Sequence, residues 1–211
     1  MYPMDGMKRY YDRRAPEYDD WYLGTGLYAN LRRPGWEEEL REVERILAEL
    51  SPARTLDVAC GTGFLTRSLR GEVVGIDQSE RMVEIAARRV PGGSFVVGEA
   101  LPLPFVDGSF ERLLTGHFYG HLKPGEKELF LSEARRVADE IVVVDSALRE
   151  GVRPEETQER VLSDGSRHEV HKRYFDPEAL AGELGGGRTL FSGTWFVVVG
   201  ARLAGPDARF G

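Results

Sequence analysis

Cysteine and long apolar runs are nearly absent from this 211-residue sequence. Its single cysteine, Cys60, excludes an internal disulfide bond and disfavours a metal site built from thiolates. No uninterrupted apolar run reaches the length of about 20 residues that spans a bilayer, and the opening "MYPMDGMKRYYDRR" lacks the apolar core of a signal peptide. We therefore expect a cytoplasmic protein that does not associate with a membrane.

Positive charge is also scarce, because 28 lysines and arginines face 35 acidic residues and the net charge is −7. Nucleic-acid binding draws its affinity from clustered positive charge, so no nucleic-acid partner is expected. The chain contains no internal repeat, low-complexity tract or interdomain linker. Its length suits one α/β domain over residues 1–211.

Short apolar segments alternate with helical patterns through the middle of the chain. This alternation predicts βαβ units with right-handed crossovers and a mainly parallel sheet. The uninterrupted apolarity of "IVVVD" favours strands that are covered by helices on both faces. The predicted strands are "TLDVA" (55–59), "EVVGID" (72–77), "SFVVGE" (94–99), "ERLLTG" (111–116) and "EIVVVDS" (140–146). The predicted helices cover 36–50, 63–69 and 126–138, and a further helix opens with Ser79 as its N-cap.

The last third of the chain does not continue the alternation of strands and helices. The pair Asp164-Gly165 lies between strand-compatible residues, which is the signal of a hairpin with a two-residue turn. A short helix follows, with Asp176 as its cap, and "TLF" and "TWFVVVGARL" supply two more strands. We predict an N-terminal helical cover (1–50), a ligand-binding core (51–146), a hairpin insertion (147–175) and a C-terminal helix with strands (176–211).

A glycine-bearing turn, "LDVACGTGFL" (56–65), follows the first predicted strand. In an open α/β sheet the ligand crevice lies at this end of the strands. Gly61 and Gly63 let a ligand approach the backbone, and a helix starting at Gly63 would offer free N–H groups to an anionic group. Asp77 ends the second strand, where a carboxylate can accept hydrogen bonds from both hydroxyls of a ribose. The alternative is that the small residues only permit a tight strand-to-helix turn.

A dinucleotide is the obvious rival ligand for such a turn. Its fingerprint, G-x-G-x-x-G, is not matched, because Ala59, Gly61 and Gly63 recur at every second position. Asp57 also stands inside the motif, where a carboxylate would repel a pyrophosphate and attract an amine. The pattern therefore favours a ligand with an α-amino group and a ribose.

Four motifs resemble those of class I S-adenosylmethionine-dependent methyltransferases, in the order and spacing of that family. They are "YYDRRAPEYDDW" (10–21), "LDVACGTG" (56–63), "GIDQSERMVEIA" (75–86) and "GEALPLPFVDGSFERLLTGHFYGHL" (98–122). Within the family, "YDRRAPEYD" and "LPLPFVDGSFE" are most similar to the small-molecule methyltransferases of the ubiquinone and menaquinone biosynthesis type. The resemblance implies a Rossmann-like fold whose seven-stranded sheet is mostly parallel, with an antiparallel last strand and helices on both faces. It also implies S-adenosylmethionine as cofactor, S-adenosylhomocysteine as product, and no metal.

The resemblance assigns roles by position. Asp57, Ala59 and Gly61 would surround the methionine part of the cofactor, and Asp77 would hold the ribose. The remaining cofactor contacts would come from Gln78 and Met82 beside the adenosine, Glu99, Ala100 and Leu101 at the adenine, Thr115 and His117 near the sulfonium, and Tyr11 and Tyr18 as a cover. Two positions depart from the fullest motif, since Ala59 stands in place of glycine and Glu99 in place of aspartate.

Methyl transfer from a sulfonium needs alignment of the reacting atoms and, for some acceptors, removal of a proton. The segment "TGHFYGHL" (115–122) offers His121 as a general base and Tyr119 as a hydroxyl that positions the substrate. The alternative is that His121 packs at a helix start and caps a carbonyl group. His117 and His121 have helical spacing, but no acidic partner of the H-E-x-x-H type accompanies them, so a metal site is not expected.

The predicted hairpin contains His168 and His171, which would lie on opposite faces of a regular strand. The hairpin either covers the substrate or is a solvated edge with Arg160, Arg167, Lys172 and Arg173 on its surface. The sequence also lacks the Pro-Cys and D-P-P-Y signatures of base methylation. We therefore predict methyl transfer to an O, N or C atom of a small molecule. The alternatives are an RNA or protein methyltransferase and a non-catalytic protein that binds S-adenosylmethionine.

Overall fold

The computed structural model describes residues 4–203. Its helices are α1 (Met4–Arg14), α2 (Asp20–Leu23), α3 (Trp36–Glu49), α4 (Glu80–Arg89), α5 (Pro124–Val137) and α6 (Pro177–Glu183). Its strands are β1 (Thr55–Val58), β2 (Val73–Asp77), β3 (Ser94–Val97), β4 (Phe110–Gly116), β5 (Ala138–Ser146), β6 (Glu155–Val161), β7 (Arg167–Arg173), β8 (Arg188–Ser192) and β9 (Phe196–Arg202).

Seven of these strands form one sheet in the order β3-β2-β1-β4-β5-β9-β8. Strands β1 to β5 pair in parallel, whereas β9 is antiparallel to both β5 and β8. The predicted mostly parallel, seven-stranded sheet with an antiparallel last strand is confirmed. The chain moves outward from β1 to β3 and then returns to the other side of β1 with β4, so the order reverses between β1 and β4. Such a switch point opens a crevice at the carboxyl ends of the strands.

Both faces of the sheet are covered by helices. Along β5, Ile141 and Val143 pack on one face while Val142 and Val144 pack on the other. The first face is covered by buried apolar residues of α5 and α6, and the second by one apolar side of α3. This two-sided burial explains why the strand sequences are continuously apolar.

Local signals in the sequence place most elements correctly. The Ser79 hydroxyl accepts a hydrogen bond from the Met82 N–H at the start of α4, and the Asp176 carboxylate caps α6 in the same way. The helix predicted over 63–69 is wrong, because only a 3-10 turn over Thr66–Ser68 forms. Gly63 has a left-handed backbone (φ 72°), and a Cβ on it would lie 3.2 Å from Ala86 of α4. The left-handed backbone of Gly63 is incompatible with a helix that starts there, and its close packing holds the turn against α4.

Strands β6 and β7 form the predicted hairpin as a separate two-stranded sheet. Its turn is longer than predicted, because the Leu162 N–H donates to the Ser166 carbonyl and leaves three residues, 163–165, in the loop. Gly165 takes the left-handed conformation (φ 80°) that such a loop requires. The four-segment division of the chain stays a prediction, and its parts over 1–3 and 204–211 lie outside the described residues.

Candidate active site

The carboxyl ends of β1, β2, β4 and β5 bring the predicted site residues to one edge of the sheet. Asp57 is the third residue of β1, Asp77 ends β2, and His117 directly follows β4. The register pairs Val58 with Ile76, so the turn after β1 lies beside the end of β2. The site is therefore assembled at the switch point of the sheet.

Asp77 is held rigidly by the backbone. Its two carboxylate oxygens accept hydrogen bonds of 2.9 Å from the N–H groups of Gly61 and Ser79. Burial raises the pKa of Asp77 to about 6, although these two hydrogen bonds oppose the shift. Because its N–H donates to Asp77, Gly61 has no free N–H group to offer to a ligand. The short 3-10 turn after it offers no helix N-terminus either.

The turn after β1 has a strained backbone that suits the close approach of another group. Ala59 (φ 57°) and Gly61 (φ 54°) both lie in the left-handed region, which is uncommon for alanine. A Cβ on Gly61 would come within 3.3 Å of the Tyr18 ring, so this aromatic side chain covers the turn. The position predicted to face the cofactor is thus closed off by the N-terminal segment.

Asp57 lies in a cavity beside this turn. Its carboxylate accepts a hydrogen bond of 2.5 Å from the Thr66 hydroxyl, and burial raises its pKa to about 7. Within residues 4–203, neither Asp57 nor Asp77 has a cationic partner. The cavity is lined by Tyr18, Tyr22, Asp57, Ala59, Phe64 and Gly116, among others. A buried carboxyl group without a cation favours a ligand that brings positive charge.

The predicted adenosine contacts are spread over the next two elements. Met82 is fully buried at the start of α4, and Gln78 is half-buried beside Asp77. Glu99 is exposed after β3, whereas Ala100 and Leu101 are half-buried and pack against the core. These residues flank the Asp77 side of the turn, and their contact with an adenine stays a prediction.

Polar contacts fasten the N-terminal segment over the site. The Ser79 hydroxyl donates to the Asp12 carboxylate of α1 at 2.6 Å. Asp19 accepts a hydrogen bond of 2.5 Å from the Thr62 hydroxyl and pairs with the guanidinium of Arg89. The cover therefore contacts both the glycine turn and α4, and it would have to open for a cofactor to enter.

A second cavity is also bordered by Tyr18. Its wall includes Tyr11, Tyr18, Trp21, His117, His121 and Ser146. The two predicted covering tyrosines both contribute to it, and burial raises the pKa of Tyr11 and of Tyr18 far above the usual range. Because the two cavities share Tyr18, a molecule in one would lie next to a molecule in the other.

His117 is placed by an unusual backbone conformation (φ 55°) directly after β4. Its Nδ1 lies 3.7 Å from the Asp145 carboxylate, and its Nε2 is buried without a hydrogen-bond partner. Burial lowers the pKa of His117, so the ring is neutral at physiological pH. Thr115, by contrast, donates its hydroxyl to the Val58 carbonyl at 3.0 Å, and this bond joins β4 to β1 inside the sheet.

His121 caps a carbonyl group, as one of the two interpretations of the sequence held, and its role as a general base stays a prediction. Its Nδ1 lies 2.5 Å from the carbonyl oxygen of His171, so Nδ1 carries the hydrogen and Nε2 is the free nitrogen. Burial and then the charge of Lys172 lower the pKa of His121 to about 3. The ring therefore caps a carbonyl group and also lines the second cavity.

Tyr119 does not lie at the site, and the prediction that it positions a substrate is wrong. The side chain is fully buried among Phe130 and Phe175 of the core. Its hydroxyl donates to the Glu183 carboxylate of α6 at 3.1 Å. The 3-10 turn over Tyr119–His121 points Tyr119 to the core and leaves His121 at the cavity.

The sequence did not reveal a buried ion pair beneath the second cavity. The Lys172 ammonium lies 2.6 Å from the Asp145 carboxylate, and the two residues are 4% and 0% exposed. Burial alone would raise the pKa of Asp145, but Lys172 and His117 outweigh it and hold this pKa well below its usual range. The sequence signal that could have indicated this ion pair was Asp145, the acidic residue that follows the apolar residues of "IVVVDS".

The interpretation of the hairpin as a solvated edge is also wrong for two of its cations. Lys172 is buried, and Arg160 faces the second cavity. His168 packs against Tyr10 with ring centroids 4.7 Å apart, whereas the His171 ring turns toward Glu155 on the other face. In the described part of the chain, no group of three or more His, Cys, Asp or Glu residues is arranged to hold a metal ion. Every helix between residues 4 and 203 is too short or too polar to cross a bilayer.

Known proteins share both sequence and fold with this chain. Residues 55–140 match the family described as a methyltransferase domain. A demethylmenaquinone methyltransferase of Thermotoga maritima is 37% identical over 136 residues, which cover 61% of this chain and 55% of that relative. The chain therefore spans little more than half the length of this curated relative.

Two solved structures show how far the fold extends. A DhpI-SAM-HEP complex superposes with a TM-score of 0.76 at 22% identity and covers 94% of this chain and 97% of that one. The cyclase SpnF superposes with a TM-score of 0.65 at 18% identity and covers 94% of this chain and 96% of its own. At these identities the likeness establishes the fold alone. These comparisons show that residues 55–140 are similar to a methyltransferase domain and that the described chain has a Rossmann-like fold.

Proposed function

We propose that this protein transfers a methyl group from S-adenosylmethionine to a small-molecule acceptor. The observation that carries the proposal is the pair of buried carboxyl groups, Asp57 and Asp77, on either side of a tight turn. Neither has a cationic partner within residues 4–203, and burial raises the pKa of both. A pyrophosphate would be repelled here, whereas an ammonium group and ribose hydroxyls would favour the ionised carboxylates.

The chain's residues fit the parts of this cofactor. Asp57 would hold the α-amino group, and Asp77, oriented by Gly61 and Ser79, would accept the ribose hydroxyls. The guanidinium carbon of Arg14 lies 5.1 Å from the centroid of the Tyr18 ring. This positive charge would be the partner of the cofactor's carboxylate. When bound, the cofactor supplies a methyl group on a sulfonium. Tyr18, which lines both cavities, would lie beside the two reacting molecules and limit the access of water.

The acceptor would occupy the second cavity, between the N-terminal aromatic side chains and the hairpin. His117 and His121 are neutral there and present unprotonated nitrogens. Of the two, we assign His121 as the residue that receives a proton from the acceptor, since its Nδ1–H is fixed by the His171 carbonyl. Positioning by the cavity walls supplies the remaining contribution to the rate.

Radiolabelled S-adenosylmethionine, mixed with the protein and a cell extract and then separated by size, tests the proposal. We expect label in the small-molecule fraction. Label in RNA or protein would support a macromolecular substrate, and cofactor binding without transfer would indicate a regulatory protein. SpnF has a similar fold and is described as a cyclase. The fold by itself therefore does not decide between methyl transfer and another reaction.

Calorimetry with S-adenosylhomocysteine tests the site itself. Asp77→Ala removes a charged hydrogen-bonding partner and should cost about 1.5 to 3 kcal/mol of binding free energy. Asp139→Asn is the matched control, because this exposed carboxylate lies at the opposite end of β5. Unchanged affinity in Asp77→Ala would refute the ribose assignment. A cytoplasmic location and the absence of nucleic-acid partners remain predictions from composition.

A further inference from the structure

The inward face of the β6–β7 hairpin carries charge where a covering hairpin would ordinarily carry apolar residues. Along β6, exposed residues alternate with half-buried ones, and Gln158 and Arg160 lie on the inward side. Along β7, Val170 and Lys172 are buried on the same side. Inward cations oppose the folding of a small two-stranded sheet, and such exceptions to patterning concentrate at functional sites.

Arg160 has no partner within the described residues. Its side chain forms no hydrogen bond or ion pair with the side chains of residues 6–203, and its Nε is buried without an acceptor. An arginine normally satisfies its five donors with carboxylates, carbonyls or water. The Arg160 guanidinium lines a cavity and has a buried N–H donor without an acceptor. Such a group suits a ligand that is rich in hydrogen-bond acceptors.

Two further cations line the same cavity, which has no acidic residue in its wall. Lys172 is balanced by Asp145 directly beneath it. Arg14 donates to the Tyr10 hydroxyl and pairs with no carboxylate of residues 6–203, although the cofactor's own carboxylate would occupy it if the proposed function holds. Arg160 is then left as a positive charge with no counterpart in the cofactor or among the side chains of residues 6–203.

We propose that the methyl acceptor is a small anion whose carboxylate or phosphoryl group is bound by Arg160, next to Lys172. This inference rests on the proposed function, because it places the acceptor in the cavity that adjoins the cofactor site through Tyr18. Tyr11 and Trp21 supply aromatic walls to the same cavity, so the body of the acceptor is flat or apolar. Arg160 acts as a specificity-determining residue and selects acceptors by charge.

Binding of three probes of similar shape tests this inference on the full chain in the presence of S-adenosylhomocysteine. Benzoate carries a carboxylate, phenylphosphonate carries a phosphoryl group, and benzamide carries no charge. We expect at least one anion to bind about tenfold or more tightly than benzamide, and Arg160→Gln to remove this preference. The better anion identifies which of the two groups the cavity accepts.

Arg167→Gln is the matched control, because it removes the same charge from the outward face of the same hairpin, where Arg167 pairs with Glu159. It should leave anion binding unchanged. Arg160→Lys keeps the charge without the planar fork and should retain part of the preference. Should Arg160→Gln not fold, Arg160→Lys and the comparison of anion with benzamide on the unaltered protein still decide the outcome.

Two failures can be told apart. If the unaltered protein does not bind S-adenosylhomocysteine, the proposed function falls and the acceptor assignment falls with it. If it binds S-adenosylhomocysteine but binds benzamide as tightly as both anions, only the anionic acceptor is overturned. Equal anion affinity in Arg160→Gln and the unaltered protein would also overturn it.

Discussion

The Lys172 ammonium lies 2.6 Å from the Asp145 carboxylate in a position closed to solvent. This ion pair joins the hairpin to the end of β5, since Lys172 belongs to β7. The Asp145 carboxylate also accepts hydrogen bonds from the N–H groups of Gly120 at 2.8 Å and Ser146 at 2.7 Å. One carboxylate therefore orients the hairpin, the turn that carries His121, and the floor of the second cavity.

Removing the cation should destabilise the protein strongly. Lys172→Met leaves Asp145 buried without its ionic partner, which should lower the free energy of unfolding by about 3 to 5 kcal/mol. Urea denaturation measures the difference. Adding Asp145→Asn to this variant should recover part of the loss, because the uncompensated charge is then gone.

A second lysine pair provides the matched control. Lys127 lies 3.3 Å from Glu183, and both side chains are about a quarter exposed. Lys127→Met should lower the free energy of unfolding by less than about 1 kcal/mol, since water screens this pair. Equal losses in the two variants would contradict the structural role given to Lys172.

The affinity for S-adenosylhomocysteine should rise between pH 5.5 and 7.5. Burial raises the pKa of Asp57 to about 7 and of Asp77 to about 6 in the free protein. The ligand's ammonium and ribose hydroxyls favour the ionised carboxylates, so binding below these pKa values must release protons. We expect the affinity to increase by about tenfold or more over this range. Calorimetry in buffers of different ionisation enthalpy counts the released protons, and an affinity that is flat with pH would contradict the assignment.

Asp57→Asn should stabilise the free protein while weakening cofactor binding. The folded-state pKa of Asp57 lies above its unfolded value, so ionisation destabilises the fold progressively as pH rises from about 4 to about 7. The loss of stability that ionised Asp57 causes is complete above about pH 7 and absent below about pH 4. At pH 8 the variant should therefore gain on the order of 2 to 4 kcal/mol in the free energy of unfolding, at roughly 1.4 kcal/mol per unit of pKa shift. At pH 4 thermal unfolding of the two proteins should coincide.

Features with a local cause could be predicted from the sequence. The cap at Ser79, the hairpin around Gly165 and the glycine-bearing turn each depend on a few neighbouring residues. The sheet follows from the same logic, because continuous apolar runs are needed by strands that are covered on both faces. The helix at Gly63 failed for the opposite reason, since its contact with Ala86 joins residues far apart in sequence.

The acceptor side of the site could not be predicted in this way. Both faces of β6 carry polar residues, with Glu155, Thr157 and Glu159 on one and Glu156, Gln158 and Arg160 on the other. When neither face is apolar, alternation does not reveal which one turns inward. Tyr119 illustrates the same difficulty in a turn, because a single residue separates it from His121, and yet Tyr119 enters the core while His121 lines the cavity.

Ala59→Gly should stabilise the protein. Ala59 holds a left-handed backbone (φ 57°), which costs an L-residue about 1 to 2 kcal/mol, whereas the entropic cost of glycine is roughly 0.5 to 1 kcal/mol. The net gain should be about 0.5 to 1 kcal/mol in the free energy of unfolding. Ala147→Gly is the control, because Ala147 is buried with an ordinary backbone and should lose stability. A loss of stability in both variants would show that Ala59 is not strained.

Two substitutions of His121 separate a chemical role from a structural one. His121→Ala removes the ring, whereas His121→Asn keeps a donor that can reach the His171 carbonyl. If the ring receives the acceptor's proton, both variants should lose about 100-fold in kcat with unchanged affinity for S-adenosylhomocysteine. Recovery of activity in His121→Asn would reduce the residue to a support for the turn.

The pH profile gives an independent check on His121. In the free protein, burial and the Lys172 charge lower its pKa to about 3, so kcat/KM should show no inflection from this ring between pH 5 and 8. An anionic acceptor beside Lys172 would offset that charge and raise the pKa of His121 in the complex. The higher pKa should appear as a fall of kcat at low pH, and this fall should be absent from the profile of His121→Ala. Because Arg160 holds the anion, the same fall should move to lower pH in Arg160→Lys, where the anion is held less firmly.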